Sequence, residues 1–351
     1  KEDMESGLNA AAQGGFSKVA ISPEAAPSVD SKSAVDYILK KSEHHTVDAL
    51  PIAGMTKGLE GNDLAEIFDM CQTGAVAISN GKRSIINSKL QNLVLLYSKN
   101  AGVPVFSFCE DEKLSSGGQM HEGEVNTRIG LKGIPALAEE VMVARDIFLS
   151  EYTGVPVHFS HVTTKGSVQL IREAKEKGLQ ITASVPVHHL LFTDESTVDF
   201  DSNYKVNPPF RGAEHVEALK KGLSDGTIDT IISDHQPHEI EAKFSEFGIA
   251  EPGIIALETA FSTLLMSVKD DMSIAAIIEK LTNVPRSILN LENPKIEEGT
   301  KAELTVFSPT IGWEYLRKDV KSKSHNSPLI GKELMGLLVA VINNNKLYLN
   351  S

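Results

Sequence analysis

Cysteine is almost missing from this chain: Cys71 and Cys109 are the only two in 351 residues. They stand far apart and in no CxxC spacing, which excludes a disulfide framework or a zinc knuckle and leaves buried free thiols in a reducing compartment as the simpler reading. Long apolar runs are missing too. With no stretch of about eighteen apolar residues and no basic-then-apolar leader, the sequence predicts a soluble, cytoplasmic protein. Positive charge is in deficit, with 34 Lys and Arg against 47 Asp and Glu and a net charge of -13. That balance argues against a nucleic-acid partner or an anionic membrane surface. The order GxxxxGK[ST] is absent, so the two glycine clusters of the loop Glu112 to Gly133 read as loop punctuation and not as a phosphate cradle. The chain also opens without Met, passing from Lys1 almost directly into helix-like sequence, Glu2 to Gln13, with no strand before it. Something is expected to precede it.

What is present alternates. A 41% apolar chain of this length suits one barrel-sized domain with a smaller appendage. Phe16 to Ile21, Val47 to Ile52, Ala75 to Ser79, Val103 to Phe108, Val155 to His161, Gln180 to Val185 and Thr230 to Asp234 read as strands. Helical spacing marks Lys32 to Lys41, a helix capped by Asn62 and closed by Gly74, and Lys89 to Asn100. It also marks Pro135 to Tyr152, with Leu137, Val141, Ala144 and Phe148 inward, then Ser167 to Lys177, Glu214 to Leu223, Ile255 to Val268 and Ile274 to Thr282. Seven parallel strands do not close a barrel whereas eight do, so the first strand is expected before Lys1. From Lys301 the pattern changes to strand-like segments, Glu303 to Phe307 and Leu337 to Leu349. The predicted class is α/β, a TIM-type (β/α)8 barrel over residues 1–300, with residues 301–351 part of a small C-terminal β-sandwich domain.

Thr230 to His238 holds the first candidate site residue. Ile231 and Ile232 form a buried strand that runs out at Ser233-Asp234-His235, and barrel chemistry collects at such C-terminal strand ends. Asp234 is therefore a candidate metal ligand or general base, set against the plain alternative that it caps the following turn.

Motifs in consistent order along nearly the whole chain resemble the dihydroorotase branch of the amidohydrolase superfamily. They include Lys1-Glu2-Asp3-Met4-Glu5-Ser6-Gly7, Thr56-Lys57-Gly58, Gly74-Ala75-Val76-Ala77, Cys109-Glu110-Asp111 and Glu122-Gly123-Glu124. Gly133-Ile134-Pro135, His161-Val162-Thr163-Thr164, His188-His189-Leu190-Leu191 and Lys205-Val206-Asn207-Pro208-Pro209 follow. Asp234-His235-Gln236-Pro237-His238, Gly299-Thr300-Lys301-Ala302-Glu303-Leu304 and Ile330-Gly331-Lys332-Glu333-Leu334 complete the set.

The resemblance implies a two-metal clamp that activates a bridging hydroxide, with a first-strand His pair, a fourth-strand acid, histidines from strands five and six and an eighth-strand Asp base. Asp234 fits the last position and His161 the sixth-strand histidine. Elsewhere the chain departs from the pattern. Asn80-Gly81 stands where the family has an acidic pair, and Phe108 stands where it has a histidine. Glu24 replaces an amide that would bind the substrate carboxylate, and two like charges at about 4 Å repel by about 1 kcal/mol in water and about 4 kcal/mol at an effective dielectric near 20. Asn207 and His238 remain as substrate-contact positions, with structural roles for both the simpler reading.

The expectation is a dihydroorotase-like protein of pyrimidine biosynthesis with a degraded metal site. It would be non-catalytic and serve as an assembly or scaffold subunit, with aspartate transcarbamoylase or another pathway subunit as partner and with homodimerisation as in the family. The alternative is an active, zinc-dependent dihydroorotase, single-metal or two-metal; zinc is expected only if the chain is active. His188 and His189 are expected to pack or hydrogen-bond, His44, His45 and His121 to face solvent, and Trp313 to pack in the small domain.

Overall fold

Seven short apolar segments pair side by side in the computed structural model, which describes residues 1–350. They are β1 (Lys18–Ile21), β2 (Asp48–Gly54), β3 (Ala77–Ser79), β4 (Val105–Phe108), β5 (Val157–Ser160), β6 (Ile181–Pro186) and β7 (Thr230–Ile232). All six pairings are parallel and follow chain order from β1 to β7. Parallel neighbours need a crossover between them, and helices of the expected positions supply it. Helix and strand side chains share one core around Phe159, Ile78, Val105 and Val185, all fully buried. Burying a side chain such as Phe159 stabilises the fold by roughly 1.5–3 kcal/mol. This is the barrel architecture that the alternation predicted.

The first helix, Met4–Gln13, starts where the Asp3 side chain accepts the Ser6 N–H, and it buries Leu8, Ala10, Ala11 and Ala12. It ends at Gly14, whose Cα passes so close to Leu257 that a Cβ there would lie 2.1 Å from that carbonyl oxygen. Only glycine fits this approach.

Four expectations need correction. Asn62 caps nothing: the helix runs Ile67–Thr73 from Glu66, because Leu64 is engaged in a bridge with Thr56. The supposed loop Glu112 to Gly133 contains helices Glu112–Ser115 and Glu124–Ile129 and a parallel pair, Met120–His121 with Gly133–Ile134. The segment Ile255 to Val268 is helical only over Ala260–Val268. Most consequentially, helix Leu137–Thr153 faces the other way: Leu137, Val141 and Phe148 are exposed, whereas Ala138, Glu139, Met142, Val143, Asp146 and Ser150 are buried. The buried carboxylates explain the rotation. Glu139 accepts the N–H groups of Thr163 and Thr164 at 2.9 and 3.1 Å, and Asp146 pairs with Arg145 at 2.7 Å, so a face that reads as polar is satisfied only when turned inward.

The C-terminal segment forms a three-stranded antiparallel sheet, β8 (Leu304–Glu314), β9 (Glu333–Asn343) and β10 (Lys346–Leu349). The run Leu337 to Leu349 is thus two strands, turned at Asn344 and Asn345, both at positive φ. This sheet is tied to the barrel: the Asn343 side chain donates to the Ser17 and Thr46 carbonyls, and the Trp313 indole donates to Ser262 Oγ at 3.1 Å. Glu258 makes a further tie by accepting the Lys321 and Ser322 N–H groups. No helix among the described residues is long and apolar enough to cross a membrane.

Two stability measurements test this packing. Met142→Ala should cost about 2–5 kcal/mol in urea denaturation and Phe148→Ser no more than about 0.5 kcal/mol; the opposite ranking would mean the helix is rotated. Burial pushes the Glu258 carboxyl up to about 7 from 4.5. A raised folded-state pKa contributes stability that is complete below the unfolded value and is lost as pH rises through the folded one. Between pH 4.5 and 7 the protein should therefore lose about 3 kcal/mol from this group. Glu258→Gln should flatten that part of the stability–pH curve, and an unchanged slope would refute the assignment.

Candidate functional site at the C-terminal ends of the strands

Strand β5 ends at Ser160 and β7 at Ile232, and just beyond them His161 and Asp234 both adopt left-handed backbone, with φ of 59° and 50°. Side chains other than glycine seldom hold that conformation, and Asp and His are among those that tolerate it best. The two turns bring the side chains together: His161 Nε2 donates to Asp234 Oδ1 at 3.1 Å. Strained backbone of this kind clusters at functional positions.

The ends of β3 and β6 complete the group. Beyond β3, Gly81 takes φ 66° and Lys82 turns inward, its ammonium 2.8 Å from Asp234 Oδ1 and 2.9 Å from Oδ2. The same ammonium donates to the Asn207 carbonyl. Beyond β6, His188 places Nε2 3.5 Å from Asp234 Oδ2, and neither of its ring nitrogens has a hydrogen-bond partner. Its neighbour His189 donates from Nε2 to the Pro208 carbonyl at 3.0 Å. Burial alone would raise the Asp234 carboxyl, but Lys82 and His161 outweigh it and hold the group well below the usual carboxylate range. Burial also lowers His161 below the usual imidazole range, against the opposing pull of Asp234.

The remaining sequence-derived positions are placed as follows. Asn80 is buried and spent: its Oδ1 accepts from Thr56 Oγ1 at 2.8 Å and its Nδ2 donates to the Leu59 carbonyl at 3.1 Å. A Cβ at Gly81 would lie 2.3 Å from Glu24 Cγ, so Glu24 fills the space where a side chain at 81 would begin. Phe108 is buried, its ring edge-on to His161 with centroids 5.5 Å apart. Asn207 meets the group through its backbone carbonyl. His238 donates from Nε2 to the Pro252 carbonyl at 3.0 Å and from its backbone N–H to Asn326 Oδ1.

A divalent ion at Asp234 could draw on His161, His188 and the carboxylate itself, a donor number sufficient for zinc. As arranged, these residues do not fit one. The Lys82 ammonium already lies against both carboxylate oxygens. A doubly charged ion about 4 Å from it would be repelled by roughly 8 kcal/mol at an effective dielectric near 20.

His121 corrects an expectation. It is buried, not solvent-facing, because the Met120–His121 strand folds the loop onto the barrel. With His215 and Glu214 it forms a compact group of metal-ligand types. The hydrogen bonds oppose a metal there. His215 Nδ1 accepts the Lys165 N–H at 2.9 Å and His121 Nδ1 faces the Arg211 guanidinium at 3.3 Å, which leaves the proton of each neutral ring on Nε2. Burial and the neighbouring Arg211 lower His121 to about 3. Arg211 also bonds Thr163 Oγ1 and the Ile134 carbonyl and lies 3.7 Å from buried Glu139. His45 departs from expectation in the same sense: it is half-buried and bonded to Asn9, whereas His44 is exposed. Sequence reasoning missed Lys82 and Arg211, which no motif marked, and took His188 for a packing or hydrogen-bonding residue; it is buried beside Asp234.

Residues 1–167 match the dihydro-orotase-like family and residues 113–331 the amidohydrolase family. A protein from Caldicellulosiruptor saccharolyticus named dihydroorotase is 43% identical over 350 residues, spanning 99% of this chain and 81% of that protein. One of the same name from Pelotomaculum thermopropionicum is 43% identical over 345 residues, with 97% and 81% covered. The L-hydantoinase of Arthrobacter aurescens superposes with a TM-score of 0.86 at 21% identity, over 99% of this chain and 80% of that one. The inactive dihydroorotase-like domain of the Chaetomium thermophilum CAD-like multifunctional protein superposes at 0.66 and 16% identity, over 98% and 87%. At such identities the two structures speak for the fold alone.

Arg211 offers the test of this region. Replacing it with Met leaves Glu139 buried without its cation, which should cost about 3–5 kcal/mol in denaturant unfolding. A loss under about 1 kcal/mol would mean that the Thr163 and Thr164 bonds suffice for Glu139.

Proposed function

The chain belongs to the dihydroorotase family of amidohydrolases, and from that premise we propose that it is a pyrimidine-pathway member that does not itself hydrolyse the cyclic amide and serves as an assembly or scaffold subunit. One observation carries this reading: two of the strand ends that should supply ligands, those of β3 and β4, offer none. Asn80 is consumed by Thr56 and Leu59, and Phe108 turns an apolar ring toward His161. Without a metal, water must be activated from a pKa near 15.7 instead of about 7, a difference of roughly 12 kcal/mol.

Asp234 does not make up that difference. A general base works best with a pKa near the operating pH, and this carboxylate is held far below it by Lys82 and His161, which also occupy its oxygens. Glu24 sits against Gly81 at the mouth of the site, where its negative charge opposes an anionic substrate. In this reading residues 1–300 are the barrel unit and 301–351 part of the small β-domain. Aspartate transcarbamoylase or another pathway enzyme is the partner class, a homodimer the assembly, and the cytoplasm the compartment. The fold neighbour described as an inactive dihydroorotase-like domain of a multifunctional protein is a parallel for it.

A second reading is favoured by one specific observation, the 43% identity over 99% of the chain to a protein named dihydroorotase. In it the chain is an active, zinc-dependent hydrolase with one metal ion or two. Asp234 would be base and ligand, His161 and His188 ligands, and Asn207 and His238 substrate contacts.

Assay of the full-length protein decides between them. The expected result is no dihydroorotate hydrolysis above background, together with co-elution with aspartate transcarbamoylase in size-exclusion chromatography. Turnover that Asp234→Asn abolishes would establish the second reading.

A further inference from the structure

We infer that Lys82 is the resident cation of this site: its ammonium stands in for a metal ion at the focus of His161, His188 and Asp234, and removing it uncovers a place for one divalent ion. This deepens the non-catalytic reading above, on which it rests, but its readout is metal content and not turnover.

The Asp234 side chain is 4% exposed. A carboxylate that deeply buried needs a compensating cation. The cation that lies against both carboxylate oxygens is Lys82, whose side chain is 9% exposed. The fit is complete on the lysine side. An ammonium has three N–H donors, and Lys82 meets three acceptors: Asp234 Oδ1, Asp234 Oδ2 and the Asn207 carbonyl. It arrives at the barrel mouth from the end of β3 by way of the left-handed turn at Gly81.

The imidazoles carry the second half of the argument. His188 is buried with both ring nitrogens unpartnered, and His161 lacks a partner at Nδ1. Buried polar atoms are rarely left so, and such orphans call for an explanation. His161 Nε2 lies 3.1 Å from Asp234 Oδ1 and His188 Nε2 lies 3.5 Å from Asp234 Oδ2, so the two imidazoles flank the carboxylate, one at each oxygen. Lys82 supplies the positive charge of an ion but offers these nitrogens no bond, because an ammonium only donates. Phe108 stands edge-on to His161 with ring centroids 5.5 Å apart and offers no ligand atom on that side.

The test uses the full-length protein after exhaustive dialysis against a chelator, titrated with zinc chloride by calorimetry and followed by thermal unfolding and elemental analysis. Wild type and Lys82→Arg should retain no zinc attributable to Asp234 and show no zinc-dependent shift in Tm. Lys82→Met, or Lys82→Gln if the former does not fold, should bind about one zinc per chain at least about 100-fold more tightly than wild type, with a rise in Tm. Adding His188→Ala to that variant should abolish both gains. The inference is overturned if wild type holds zinc that Asp234→Asn removes, or if the folded lysine variants take up no more than wild type. The two readings fail separately: hydrolysis without zinc at Asp234 would sink the scaffold proposal and leave Lys82 as assigned, whereas zinc at Asp234 without hydrolysis would do the reverse.

Discussion

A carboxylate at the end of a barrel strand cannot be left both buried and uncompensated, and the geometry of the site follows from how that requirement is met. Asp234 stands beyond β7 with both oxygens engaged by Lys82 from beyond β3. The pair bridges two strands that are not neighbours in the sheet. Taking two charges out of water costs several kcal/mol per ion, which close contact only roughly returns, so the pair is better understood as fixing position than as adding net stability. What it fixes is the turn at Gly81, the Asn207 carbonyl and, through His161, the end of β5.

The barrel was legible because its signals are local. Parallel strands buried on both faces read as short apolar runs, and β2 through β7 lie where those runs are. The orientation of helix Leu137–Thr153 was not legible. Periodicity weighs side chains by apolarity, and Leu137, Val141 and Phe148 form the apolar stripe, yet the buried stripe carries Glu139 and Asp146. Their partners, Thr163, Thr164 and Ser107, come from elsewhere in the chain, so the inward preference exists only once the tertiary structure does.

The site divides in the same way. Asp234 could be singled out from strand-end position, whereas His161 and the departures from the family pattern at Asn80, Gly81 and Phe108 were visible only through the family resemblance. Lys82 could not, because a lysine after Asn-Gly has the look of a solvated turn. His121 misled for a related cause. It lies in a glycine-rich stretch that reads as exposed loop, but the pairing of Met120–His121 with Gly133–Ile134 lays that stretch on the barrel, where Arg211 reaches its ring.

High identity to proteins named dihydroorotase is compatible with the non-catalytic reading proposed above, because barrel stability and barrel chemistry are held by different residues. The core around Phe159, Val105 and Val185 is apolar, whereas the Asp234 carboxylate meets Lys82, His161 and His188, so most of a 43% identity can reside in packing while a few rim positions decide reactivity. Exchanging a divalent ion for an ammonium keeps the carboxylate paired and the strand ends in place. It does not supply an acceptor for a lone pair, and so it cannot lower the pKa of a bound water or polarise a carbonyl as a metal does. A chain can therefore keep its fold and its surfaces through such an exchange and surrender only the hydrolytic step.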